Sequence, residues 1–311
     1  MRAGGLSSDP AGYAIVLAAY LLMAATAPLV AFTHAPTAVV LSLRMAIAAA
    51  ALVALFARRG YLEDWRRPGN APRLLLMGAL SAGCALLFFA AIRMTSVAVG
   101  MLLMFMMPVW VALIAPRVFR TRREAVVLPA LGLALGGLLV ILVPDLVAGV
   151  QVSPAGIALG VAAGLSYAAF ALVVKALTKR VTSATTISLT EAALDALFVL
   201  PLALWQLADT GYHLTLRDFV AIAVMGLVCT AFAHTLWAEG TRRVRVEHVS
   251  IIGYVEPVAA AVYAYFLVGQ RPSLWTVAGG ALIISAGILV ILFGAAEGET
   301  SVAELAEAEP I

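Results

Sequence analysis

Residues 9–30 read DPAGYAIVLAAYLLMAATAPLV, and residues 153–174 read SPAGIALGVAAGLSYAAFALVV. At an offset of 144, eleven of these 22 positions are identical, the shared Pro-Ala-Gly start among them. Alanine inflates that count, but the match does not stand alone. Pro108 pairs with Pro257, and GLLVIL at 137–142 pairs with GILVIL at 287–292, at offsets of 149–150. Self-similarity at a nearly fixed spacing means that one structural unit is built twice. The two units run over 1–150 and 151–311, the second ending in a short acidic tail.

What is repeated is a set of membrane spans. The 311 residues are 63% hydrophobic and only 12% charged, with a mean hydropathy of +1.03. A soluble domain is nearer ~45–50% apolar and ~25% charged, so an ordinary soluble enzyme is excluded. A bilayer core of ~30 Å takes about 20 apolar residues per helix. Ten such stretches follow one another: Ala11–Phe32, Pro36–Phe56, Leu74–Ile92, Ser96–Ala115, Ala125–Val143, Pro154–Val174, Thr185–Leu207, Phe219–Ala238, Val249–Val268 and Leu274–Phe293. Asp9-Pro10, Ser153-Pro154 and Pro272-Ser273 supply helix-start signals. The first stretch is too long for a signal peptide and reads as an uncleaved span. The fold class is therefore all-α integral membrane protein, with ten transmembrane helices in two five-helix repeats. Five is odd, so the second copy enters the membrane from the opposite face and the repeat is inverted.

Lysine and arginine set the orientation. Sixteen of the 20 fall on the side of the N-terminus, the loops after even-numbered spans and the C-terminus, among them Arg58, Arg59, Arg122, Arg123 and Lys175. The other side holds Arg93, Arg217 and Arg271, and Arg44 lies within span two. Both termini are expected in the cytoplasm. The same clustering explains the basic pI without nucleic acid. Cys84 and Cys229 lie in apolar runs with no disulfide or metal spacing and read as small packing residues.

Charges at membrane depth need a partner or a watery cavity. Glu191 and Asp195 lie at i, i+4 on one face of span seven, the repeat partner of the span that carries Arg44. An ion pair or polar latch from Arg44 to Glu191 or Asp195 is the first reading. A proton- or substrate-binding role for the two acids is the second. Glu256 precedes Pro257, where a proline within a span bends the helix and frees a carbonyl. The acid is either satisfied by neighbouring hydroxyls or able to bind an ammonium group. His234 and Trp237 share a face of span eight, as structural groups or as cavity lining. Met101, Met104, Phe105 and Pro108 share a face of span four, either packing or forming an adaptable wall for bulky apolar ligands. Tyr20, Phe88, Tyr167 and Tyr254 fall at comparable depth in spans one, three, six and nine. Gly156, Gly160 and Gly164 make a stripe on span six that permits close helix contact.

Leu43-Arg44-Met45, Met107-Pro108, Glu256-Pro257 and the small-residue runs near Gly137 and Gly287, in this order and repeated, resemble the EamA-type branch of the drug/metabolite transporter superfamily over residues 10–293. Within that family, the length and the Met- and aromatic-rich span four look most like the bacterial aromatic amino acid exporters. One departure is Gly269-Gln270, where the family often has Gly-Glu. The resemblance implies a multi-pass protein of the bacterial inner membrane. Spans one, three, four, six, eight and nine would surround a central cavity, with spans five and ten outside as supports. It implies export of small molecules by alternating access, the motion that inverted repeats serve. Amino acids, aromatic and large neutral ones preferred, suit the apolar lining better than phosphates, since Arg44 is the sole core cation. Export of other metabolites or drugs is the alternative. No Walker A, Gly-x-Ser-x-Gly or His-Glu-x-x-His sequence occurs, so neither an enzyme nor a cofactor or metal site is expected. The expected partners are the lipid bilayer and a small-molecule substrate.

Overall fold

The computed structural model describes residues 9–294 apart from 31, 57–59, 96, 122–123, 148–152, 182 and 270. Ten helices among them are long and apolar enough to cross a membrane: Pro10–Val30, Thr37–Leu55, Asn70–Met94, Val99–Phe119, Val127–Pro144, Pro154–Thr178, Ala184–Thr210, Leu216–Arg243, Val246–Leu267 and Leu274–Phe293. These are spans one to ten, in the expected order, and no strand occurs among the described residues. Arg2, Arg58, Arg59, Arg122, Arg123, Gln270 and the acidic tail, which carried parts of the sequence reading, lie outside the described residues.

The starts follow local chemistry. The Asp9 carboxylate accepts from the amide of Gly12 at 2.8 Å, with Pro10 in the first turn. Ser273 accepts from the amide of Thr276 at 3.1 Å. Thr215 and Asp218 form a reciprocal capping box and so begin span eight three residues before the hydropathy does. Several spans also run past their apolar stretch. Lys175, expected in a loop, is a buried residue of span six, and its Nζ donates to the carbonyls of Thr241 at 2.7 Å and Val244 at 2.8 Å. Arg217, Arg242 and Arg243 are likewise helical rather than loop residues. Hydropathy marks only the apolar depth, whereas a helix continues until its last carbonyls are capped.

Helix pairing follows the repeat. Span two packs on span seven and span five on span ten; span three packs on six as span eight packs on one; span four lies on six as span nine lies on one. Exchanging repeat partners turns each pairing into itself or into another of this set, as a two-fold relation demands. The glycine stripe of span six makes its part of this possible. A Cβ on Gly160 would lie 2.6 Å from Leu103 Cδ1, and one on Gly164 would lie 2.6 Å from the Leu103 carbonyl oxygen. Spans five and ten meet through Gly137 and Gly279, each of whose missing Cβ would fall 2.3–2.5 Å from the other's carbonyl oxygen. Gly287, the sequence partner of Gly137, has open space beside it instead.

Four spans are irregular near mid-depth. Span one breaks at Ala25, span four at Phe105-Met106 and span nine at Gly253-Tyr254, while Met225–Phe232 of span eight is a π-helical turn. Pro108 and Pro257 lack the amide that would close the preceding turn. Phe105 and Tyr254 are 149 residues apart, the offset relating the two prolines, and they meet across the repeat boundary. The Tyr254 hydroxyl donates to the carbonyl of Phe105 at 2.6 Å, and the rings stack at 6.0 Å. One break thus satisfies an acceptor freed by the other.

The end of the molecule carrying the turns after spans four and eight is held by a buried polar cluster. Arg245 Nε lies 2.8 Å from Glu124 Oε1, and a terminal nitrogen of Arg245 lies 3.3 Å from Glu247. His248 Nε2 lies 3.0 Å from Glu124 Oε2, and its Nδ1 lies 2.6 Å from the Tyr13 hydroxyl. Spans one and nine and the turns after spans four and eight are tied together by five side chains.

Candidate substrate cavity

The mid-depth irregularities surround one space. It is a cavity of about 280 Å³ whose walls come from spans one, two, three, four, six, seven, eight and nine. Such irregular backbone at depth is tolerated where it lines a cavity. Spans five and ten contribute nothing to its lining. Span two does, through Leu41, Arg44 and Met45, and so does span seven, through Glu191 and Asp195; the expected set of six lining spans is thereby enlarged.

Of the residues expected at the site, Phe88, Met104, Phe105, Tyr167, His234, Trp237 and Glu256 line this cavity. Tyr20, Met101 and Tyr254 do not. Tyr20 lies fully buried behind Trp237 and accepts its indole N–H at 2.9 Å. Trp237 in turn stacks on Phe170 with centroids 5.7 Å apart and planes within 8°. These rings form a floor, and Tyr254 fixes the break beside it. Met101 lies one turn before Phe105, and the helix ends at Met104, so the stripe expected on a continuous span four is cut short.

The charged groups are arranged differently from the expected latch. Arg44, Glu191 and Asp195 line the same cavity, but no ion pair within 4.0 Å joins Arg44 to either acid. Glu191 Oε1 instead lies 3.1 Å from His234 Nδ1. The Ser81 hydroxyl donates to Asp195 Oδ2 at 2.8 Å. The wall itself is closed nearby, because the Ser42 hydroxyl donates to the carbonyl of Ala196 at 3.1 Å. Spans two and seven are thus clasped within two residues of Arg44 and Asp195, while these residues line the cavity.

Several lining groups were not anticipated. Ser81, Cys84, Ala85 and Phe88 follow helical spacing on span three, a face legible from the sequence once Phe88 is taken as cavity-facing. Cys84 and Cys229, read as packing residues, are buried and also line the cavity. Cys229 lies in the π-turn, which has no sequence period to betray it. No cluster of three or more His, Cys, Asp or Glu among the described residues is placed to hold a metal ion. Chemically, the cavity is an aromatic and thioether box with three carboxylates, one guanidinium and one imidazole on its walls.

A second cavity of about 280 Å³ lies between spans two, three and seven, lined by Thr37, Ala38, Phe89, Arg93 and Gln206 among others. Phe89 lines both spaces.

The family model of EamA-like transporters matches residues 10–143 and again residues 154–293. An uncharacterized transporter of Bacillus subtilis, YwfM, is 28% identical over 248 residues, covering 77% of this chain and 78% of that one. An uncharacterized transporter of Archaeoglobus fulgidus is 32% identical over 203 residues, covering 65% of this chain and 70% of its own. A solved crystal structure of another protein is alike in fold alone, with a TM-score of 0.76 at 17% identity over 96% of this chain and 99% of that chain. With a family match to both halves and a mid-depth cavity between them, this chain is a multi-pass membrane transporter and belongs to the EamA-like transporter family.

Proposed function

We propose that the protein exports amino acids, aromatic and large neutral ones preferred, from the cytoplasm across a bacterial inner membrane. The observation that carries this reading is the make-up of the central cavity. Phe88, Phe105, Tyr167, Phe170, Trp237 and Met104 give it an apolar wall, and a few charged groups converge on the same space. That combination suits a small amphipathic molecule. A phosphate ester would want several cations, and Arg44 is the one arginine or lysine that lines it.

The transport cycle follows from the repeat. The five-span units 1–150 and 151–311, inverted relative to each other, rock about the cavity and expose it to each side in turn. With both termini cytoplasmic by the positive-inside rule, the cluster of Tyr13, Glu124, Arg245, Glu247 and His248 seals the cytoplasmic end. The cavity draws on the later part of span one and the first half of span two, and equally on the first half of span seven and the later part of span eight, which suits a central site.

Methionine 104 provides the test, because it touches the cavity without carrying a hydrogen-bonded network. Met104→Ala in vesicles should weaken transport of tryptophan and phenylalanine relative to alanine by ~1–3 kcal/mol, the worth of a changed apolar contact. Equal loss for all three would contradict the assignment of this wall to the substrate side chain.

A further inference from the structure

Two residues of opposite character that line the same cavity each hold a buried polar atom without a partner. The Nε of Arg44 and the Oδ1 of Asp195 are both screened from solvent and make no hydrogen bond. Asp195 is 3% exposed, and its other oxygen is held by Ser81, which fixes the orientation of the carboxylate. Glu191 does not compete for Arg44, being engaged with His234. The walls cannot simply close to join the two, because spans two and seven are already in contact at Ser42 and Ala196. Nor can span eight move in, since a Cβ on Gly226 would already lie 2.8 Å from the Arg44 carbonyl oxygen. A guanidinium and a carboxyl group held in one low-dielectric space beyond ion-pair distance are each left without the partner that offsets desolvation, which is destabilising.

We propose that Arg44 and Asp195 form a clamp for a zwitterion, Arg44 binding the α-carboxylate and Asp195 Oδ1 the α-ammonium of one bound amino acid. This rests on the amino acid reading above and assigns the groups that enforce it. A planar guanidinium matches a carboxylate, and Asp195 Oδ1 accepts from an ammonium. A molecule bearing both charges on one carbon completes both residues at once and turns its side chain toward Phe88, Met104 and Phe105. Arg44 and Asp195 are thereby specificity residues: the cavity rejects amines and acids that carry the same side chain but one charge.

The test is equilibrium binding to the purified full-length protein of L-tryptophan, tryptamine, which lacks the carboxylate, and 3-indolepropionate, which lacks the ammonium. The wild type should bind tryptophan at least tenfold more tightly than either analogue. Arg44→Gln should lose about tenfold or more for tryptophan while tryptamine is unaffected, and Asp195→Asn should do the converse with 3-indolepropionate. Ligand-free thermal stability of each variant is measured alongside. Should Arg44→Gln fail to fold, Arg44→Lys, which keeps the charge without the planar fork, should show a smaller loss confined to ligands with a carboxylate. Tryptophan bound equally by wild type and Arg44→Gln would overturn the clamp while leaving the amino acid reading intact. Loss on Glu256→Gln with none on Asp195→Asn would overturn the assignment of Asp195. No binding of any of the three by wild type, with saturable binding of a different metabolite, would overturn the amino acid reading itself.

Discussion

Arg245 is a buried cation whose removal should be consequential for stability. It lies 6% exposed in the turn between spans eight and nine and faces two carboxylates, Glu124 at 2.8 Å and Glu247 at 3.3 Å. Arg245→Met keeps most of the side-chain volume and removes the charge. Breaking a buried pair by taking away one partner costs about 3–5 kcal/mol, because the other charge remains buried. Here two acids lose that partner, but Glu124 keeps His248 at 3.0 Å, so the expected loss is about 3 kcal/mol, at the lower end of that range. Adding Glu124→Gln and Glu247→Gln to Arg245→Met should recover most of it, since neutral amides no longer need a cation. The assay is reversible unfolding in mixed micelles, read by tryptophan fluorescence. A loss below about 0.5 kcal/mol for the single variant, typical of an exposed ion pair, would refute the buried-cluster reasoning. So would a triple variant no more stable than the single one. On the proposed cycle the same variant should also loosen this end: a cysteine placed at Ala112 should react with a membrane-impermeant maleimide faster in Arg245→Met than in a protein with Arg245 intact.

Tyr254→Phe should leave the freed carbonyl of Phe105 without its donor and cost about 1–3 kcal/mol, the penalty of an unsatisfied buried acceptor, read in the same unfolding assay. Gly137→Leu should separate spans five and ten, because the new Cβ would meet the Gly279 carbonyl at 2.5 Å and cannot be absorbed by a side-chain rotation. Its effect, about 1–3 kcal/mol or more, should far exceed that of Gly287→Leu, which faces open space.

The ten spans and their order were legible because apolar length is a bulk property of the sequence, and the repeat was legible because Pro-Ala-Gly and the two prolines recur in register. Helix ends were less so: Lys175 and Arg242 are charged residues in helices whose apolar stretch has already ended, stabilised by carbonyls or ion pairs that hydropathy does not see. The site was half legible. Met104, Phe105, His234 and Trp237 follow from helical spacing on spans four and eight. Met101 does not, because spacing assumed a continuous helix where the chain breaks at Phe105. Arg44 and Glu191 lie on spans that are repeat partners and line one cavity, but the repeat relation does not decide which side chains pair. His234 reaches Glu191 from a third span, a contact no pairwise alignment of repeats contains. Cys229 enters the cavity through a π-turn, which leaves no period in the sequence.

The central claim is that the cavity carries amino acids across the membrane, and uptake by counterflow tests it most directly. Vesicles containing the purified protein are loaded with millimolar unlabelled tryptophan and diluted into trace labelled tryptophan. The account predicts saturable, protein-dependent accumulation of label that unlabelled phenylalanine suppresses and that falls at least tenfold in Asp195→Asn. Absence of exchange for tryptophan, phenylalanine and leucine in vesicles that exchange another metabolite through the same protein would contradict it.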